Sequence, residues 1–257
     1  MKILICFISH VINNRLIEQF NSILEVTKDK YDIIYCSPNQ ILENPLLNKY
    51  IVNLNLSNEG FFDEYNRNHV NNQNIYISVF DKFNNYDYYW FIENDVRINN
   101  ENLEEGWNNL FSFYINNTSD LICSKIKKWT DSRAHQSRFP IHDLNKYLNN
   151  IFYSIDYNKL WFGFLPIYRI SNKLLNIVKE YYKINNGFFE YIIPSLAKYY
   201  NLSISSFSDD KFDIDTSNFD DESWKINRGS ISWNKEDIIG YQNRYPKNTI
   251  IHPIKTY

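Results

Sequence analysis

Short, dense apolar runs alternate along this chain with longer stretches whose apolar residues recur at helical spacing. Ile3–Ser9 is such a run and predicts a strand. From Asn13 to Val26, the residues Leu16, Ile17, Phe20, Ile23 and Leu24 fall three and four apart, one face of a helix. Tyr31–Cys36 is a second strand-like run, stopped by the breaker pair Ser37-Pro38. Strand, helix, strand in this order opens a βαβ unit, which implies a parallel sheet with a right-handed crossover. Ile51–Leu56 alternates apolar and polar positions and predicts a further short strand. Ile75–Phe83 suits helix or strand; helix is preferred because the strand that follows needs a crossover. Tyr88–Ile92 is apolar and aromatic throughout, as expected of a strand covered on both faces.

In the second half, Asn102–Tyr114 puts Leu103, Trp107, Leu110, Phe111 and Tyr114 on one helical face. Glu101, Glu104 and Glu105 sit near its start, where the helix dipole favours negative charge. Asp120–Ser124 and Leu160–Tyr168 predict strands. Between them, Lys125–Pro140 carries Lys125, Lys127, Lys128, Arg133 and Arg138 with little apolar periodicity, so it reads as a basic surface loop or a lid facing an acceptor. Ser171–Tyr182 is an amphipathic helix with Ser171 as its N-cap. Phe188–Tyr200 is another helix, in which Pro194 marks a kink or a late start. Ile204–Phe207 predicts a short strand. Beyond Asp209 the chain is loop-rich as far as Ile250–Lys255, and this tail is expected to add few core residues. There are no repeats and no linker of biased composition. The expected class is therefore α/β, one domain over residues 1–257 with a mostly parallel central sheet flanked by helices.

The chemistry concentrates where the aromatic strand ends. Glu93 and Asp95 follow it directly, in Glu93-Asn94-Asp95, and open α/β sheets bind ligands at the carboxyl ends of their strands. Two carboxylates one residue apart can hold a hard divalent cation, which in turn can hold a diphosphate. The plainer reading is an acidic turn that caps the next helix.

The segment Trp90-Phe91-Ile92-Glu93-Asn94-Asp95-Val96-Arg97 resembles the metal-binding segment of GT-A glycosyltransferases. In that family, a hydrophobic strand ends in an Asp-x-Asp or Glu-x-Asp signature that holds a nucleotide-sugar through Mn²⁺ or Mg²⁺. This chain departs from the commonest signature by opening with Glu and placing Asn in the middle; some relatives use Arg and Lys in place of a metal. Three further segments are similar to the family in chain order. Trp161–Ser171 looks like its strand entering a helix at an Arg-Ile-Ser junction. Gly187-Phe188-Phe189-Glu190 with Ile193-Pro194-Ser195 looks like its Gly-x-x-Glu-x-x-x-Pro-Ser element. His252-Pro253-Ile254-Lys255 is similar to its C-terminal His-Pro-x-Lys.

The resemblance implies a GT-A-like, Rossmann-like fold, with residues 1–100 as the nucleotide-binding half and 101–257 as the acceptor half and tail. It implies Glu93, Asp95 and His252 as metal ligands. Asp95, Lys255 and His10 would contact the donor, and Glu190 would serve as the base of an inverting transfer. The implied partners are a nucleotide-sugar donor and a saccharide acceptor. Bland readings stand beside these: Glu190 as a complement to the helix dipole, and His252 and His10 in structural roles. Two other functions fit the same residues, a non-catalytic carbohydrate-binding protein and a nucleotidyltransferase. The lack of a Gly-rich loop near residue 10 counts against the latter.

Bulk properties narrow the field further. The chain has 257 residues, 44% hydrophobic and 22% charged, enough for a substantial core. Its net charge of −3 gives no basic face for nucleic acid. The 21 Tyr and 18 Phe accompany abundant Asn, Ile and Lys, the composition expected of an AT-rich coding sequence. Cys6, Cys36 and Cys123 are scattered in apolar runs without ligand spacing, which suits a reducing compartment such as the cytoplasm. No apolar run reaches the length of a membrane span, so any membrane association would be peripheral. No nucleophile elbow, Walker loop or dinucleotide fingerprint competes with the acidic turn.

Overall fold

The apolar runs assemble into a seven-stranded sheet in the computed structural model, which describes residues 1–9, 13–37, 50–53, 73–128, 160–183, 189–207, 231–232, 247–252 and 254–255. The strands are β1 (Ile3–Ile8), β2 (Asp32–Ser37), β3 (Ile51–Asn53), β4 (Tyr88–Glu93), β5 (Arg97–Ile98), β6 (Leu121–Lys128), β7 (Trp161–Ser171), β8 (Ile204–Ser206), β9 (Ile231–Ser232), β10 (Ile250–Ile251) and β11 (Ile254–Lys255). The helices are α1 (Asn14–Thr27), α2 (Gln73–Lys82), α3 (Leu103–Phe113), α4 (Asn172–Tyr182) and α5 (Phe189–Tyr199).

The main sheet runs in the order β3-β2-β1-β4-β7-β6-β8. It is mostly parallel; β7 alone runs antiparallel to both of its neighbours. The chain starts in the middle at β1, winds outward through β2 and β3, then returns to β4 on the other side. The direction of winding reverses between β1 and β4, and that crevice is where open α/β sheets bind ligands.

Helices cover both faces, which explains why the inner strands are apolar at nearly every position. On one face, Phe20 of α1 packs edge-on against Phe7, and Phe111 of α3 against Trp90. On the other, Tyr76 of α2 packs against Phe91 and Tyr168, and Phe189 of α5 against Tyr76. Local signals place the helix starts. Asn13 Oδ1 accepts from the N–H groups of Arg15 and Leu16, and Ser171 Oγ from that of Leu174 at 3.1 Å, the N-cap expected from the sequence. No described helix is long and apolar enough to cross a membrane.

Two glycines permit close packing. A Cβ at Gly163 on β7 would lie 2.9 Å from Pro194 Cγ and 3.0 Å from Cys123 Sγ, so its absence lets α5 press onto the sheet. A Cβ at Gly106 on α3 would lie 2.9 Å from Ile98 Cγ2, and its absence seats α3 against β5.

Arg169 is fully buried and has no carboxylate partner among the described residues. Its guanidinium donates to the carbonyls of Tyr114 at 2.9 Å and Asn117 at 2.6 Å, beyond the end of α3, and lies 4.4 Å above the Tyr88 ring. Cations suit helix C-termini, whose last carbonyls lack partners. Burial lowers its pKa to about 10, so it stays charged at neutral pH.

Three expectations are corrected. Lys125, Lys127 and Lys128 belong to β6, where Lys127 pairs with Phe162 and Lys128 with Trp161 across two irregularities. Backbone pairing with β7 holds them extended despite their polar side chains; residues 129–140 lie outside the described residues. The fifth helix starts at Phe189, five residues before Pro194, so the proline does not mark a late start. The tail also contributes to the core: Ile250 and Ile251 are buried and pair with Ile98 and Arg97 of β5.

Candidate functional site

β1 and β4 run side by side with Ile8 opposite Glu93, so β4 delivers Glu93 to the carboxyl edge at the point of reversal. The chain then turns, closed by the Val96 N–H donating to the Glu93 carbonyl at 3.1 Å. The buried side chain of Gln19 on α1 donates its amide to the Val96 carbonyl from below. This turn fixes Asp95, which is 8% exposed, beside Glu93. β5 follows at once and pairs antiparallel with β10. Continuing that register past Arg97–Ile251 brings His252 level with Val96.

The outcome is a cluster of three side chains from distant parts of the chain. His252 Nε2 lies 3.1 Å from Asp95 Oδ1 and 3.4 Å from Glu93 Oε2, and the candidate ligand atoms all lie within 4.8 Å of one another. The Phe164 ring packs on the imidazole edge-on, centroids 5.3 Å apart. Burial alone would pull the His252 pKa down, but Asp95 and then Glu93 outweigh it and raise the value to about 9. In the absence of a metal the two carboxylates favour the protonated ring, a positive charge where a metal ion would bring one.

The donor set suits a divalent cation. Two carboxylates are the ligands hard ions such as Mg²⁺ and Mn²⁺ prefer, and an imidazole nitrogen is a good ligand for the transition metals. The convergence of Nε2 and two carboxylate oxygens on one small volume fits such an ion.

Glu190 approaches the same edge from α5. Its Oε1 accepts from the Leu165 N–H at 3.3 Å, and the residue is 6% exposed. β7 pairs antiparallel with β4, Ile167 opposite Ile92, so Leu165 sits beyond the end of that pairing, at the level of the acidic turn. Phe164 and Leu165 are consecutive: one touches His252 and the other Glu190. Burial first, then the Glu93 and Glu190 carboxylates, hold the Tyr76 phenol well above its ordinary range.

His10 is outside the described residues. Lys255 belongs to β11, which pairs parallel with β9 through Lys255 and Ser232. Arg97, last residue of the acidic segment, lines a groove with Glu18 between α1 and α3; burial lowers its pKa and Glu18 opposes the shift.

Sequence reasoning passed over Gln19 and Phe164. Gln19 left a readable signal, being three residues after Leu16 and four before Ile23 on the buried stripe of α1, where a polar residue needs a partner. Phe164 carried none, since an aromatic in an apolar strand is ordinary core.

No family model and no curated protein matches the chain. Several solved structures are similar at low identity. A glycosyltransferase involved in the glycosylation of the major capsid of PBCV-1 is 13% identical, with TM-score 0.42, over 80% of this chain and 82% of that one. The galactosyltransferase LgtC, in complex with donor and acceptor sugar analogs, is 11% identical, with TM-score 0.43, over 98% and 87%. The glycosyltransferase GlyE of Streptococcus pneumoniae is 10% identical, with TM-score 0.40, over 99% and 55%.

Proposed function

We propose that this chain is a nucleotide-sugar-dependent glycosyltransferase that inverts configuration at the transferred sugar. The observation that carries the reading is the meeting of Glu93, Asp95 and His252 at the carboxyl edge between β1 and β4. The resemblance of Trp90–Arg97 to the GT-A metal-binding segment supports it, and so does the order of the three later segments.

In this reading, Glu93, Asp95 and His252 would hold Mn²⁺ or Mg²⁺. A divalent ion bound there would neutralise charge on a departing nucleoside diphosphate. Lys255 adds positive charge to the same leaving group, and His10 lies against the nucleotide base. Glu190 takes the proton from an acceptor hydroxyl while that oxygen bonds to the anomeric carbon and the bond from that carbon to the diphosphate oxygen breaks. The backbone N–H of Leu165 orients the Glu190 carboxylate. The acceptor is a saccharide.

The test is a donor panel of UDP-, GDP- and CMP-sugars, with and without Mn²⁺, scored for release of the nucleoside diphosphate or monophosphate. Metal-dependent turnover of one donor class is expected. Saccharide binding without turnover of any donor would replace this reading with a binding protein on the same fold. Pyrophosphate release from a nucleoside triphosphate would replace it with a nucleotidyltransferase.

A further inference from the structure

His252 reaches the acidic turn only because β10 pairs with β5 in one register, and nothing in β10 itself selects that register. The strand has two residues, Ile250 and Ile251, and they are identical. Sliding the tail by one position in one direction would put Ile251 in place of Ile250 opposite Ile98. A slip of one residue turns every side chain to the other face of a ribbon, which would carry His252 away from Glu93 and Asp95. The register must be set from outside the strand.

Asn248 lies four residues before His252 and has the left-handed backbone conformation, φ 69°. Asparagine adopts it more readily than most residues with a side chain. Its N–H donates to the Asn99 carbonyl at 2.8 Å, and the Asn99 N–H donates to the Thr249 carbonyl at 2.7 Å. Its side-chain Oδ1 accepts from Asn100 Nδ2 at 3.3 Å and from Asn109 Nδ2 at 3.5 Å. Asn248 is thus fastened by backbone and side chain to the segment that follows β5 and to α3. The nearby Lys247–Glu105 pair, 2.8 Å, is exposed and adds little.

We propose that Asn248 sets the register of the β5–β10 ribbon and so places His252 against Glu93 and Asp95, making it a positioning residue of the candidate cation site. This deepens the preceding reading and rests on it for the identity of the site. A left-handed residue fixes where the tail bends, and the amide contacts fix which residue occupies the bend. Every later position, His252 included, follows by counting along the strand.

The test uses the full chain with substitutions at Asn248. Asn248→Asp keeps the acceptor oxygen and tolerates the backbone conformation. Asn248→Gly keeps the conformation and loses the amide. Asn248→Ala loses both. Calorimetry with Mn²⁺ alone reads affinity. Histidine ring NMR on the metal-free chain, with the His252 signal identified by its loss in His252→Ala, reads ring placement. Asn248→Ala is expected to weaken Mn²⁺ binding by roughly 10- to 100-fold, the usual range for residues that orient a metal ligand. It should also shift the His252 ring signal, with Asn248→Gly intermediate and Asn248→Asp near wild type. Combined with His252→Ala, Asn248→Ala should cost nothing further in affinity, because it acts through that ring.

Wild-type Mn²⁺ affinity and an unmoved His252 signal in Asn248→Ala would overturn the inference; should that variant not fold, the same result in Asn248→Gly would do so. If the wild-type chain binds no Mn²⁺ yet Asn248→Ala moves the His252 signal, the register inference stands and the metal reading falls.

Discussion

His252 Nε2 lies 3.1 Å from Asp95 Oδ1, although the two residues lie far apart along the chain. The two-stranded ribbon of β5 and β10 makes the meeting happen, and each residue sits just outside it. The site therefore depends on the tail as much as on the acidic turn.

Asp95→Asn keeps the size of the side chain and removes its charge. Mn²⁺-dependent binding of a nucleoside diphosphate should weaken by at least about tenfold, since even changes behind a metal ligand cost that much. Calorimetry with and without Mn²⁺, and after chelation, reads the effect. Equal affinities in all three conditions would remove the metal from this site.

Truncation after Tyr245 removes Ile250 and Ile251, both buried and paired with β5. Burying one such side chain fully is worth about 1.5–3 kcal/mol. The truncated chain should melt well below the full one. Unchanged thermal unfolding would show that the tail adds little to the folded state, as the loop-rich sequence suggests.

Glu190→Gln preserves shape and can still accept from the Leu165 N–H, but it cannot take a proton at neutral pH. Turnover should fall roughly 10²-fold or more while donor affinity stays nearly intact. Normal transfer rates in the variant would sink the assignment, and so would a product of retained anomeric configuration.

Gly163→Ala inserts a methyl group 2.9 Å from Pro194 Cγ and 3.0 Å from Cys123 Sγ. Overpacking of this kind costs about 1–3 kcal/mol. Because α5 carries Glu190, its displacement should lower turnover as well as stability. Denaturant unfolding beside a rate measurement checks both. A loss of stability with turnover unchanged would separate the packing of α5 from the placement of Glu190.

What the sequence determined by itself is the part that local spacing can encode. Dense apolar runs and helical spacing marked most of the strands and helices between Ile3 and Phe207, and Ser171 marked its own cap, because each signal fits within one element. The Glu93–Asp95 pair was equally legible, since both carboxylates belong to one turn. Tertiary structure decided what crosses between elements. It drew Lys125–Lys128 into β6 through pairing with β7, and it brought Gln19 beneath the Val96 carbonyl. It also set His252 beside Asp95, and no window of sequence contains that fact. Hydrophobic patterning says which residues are buried, but not which strand they lie against. For Ile250 and Ile251 it does not even say which of the two is which, so their register waits on contacts that only the folded chain makes.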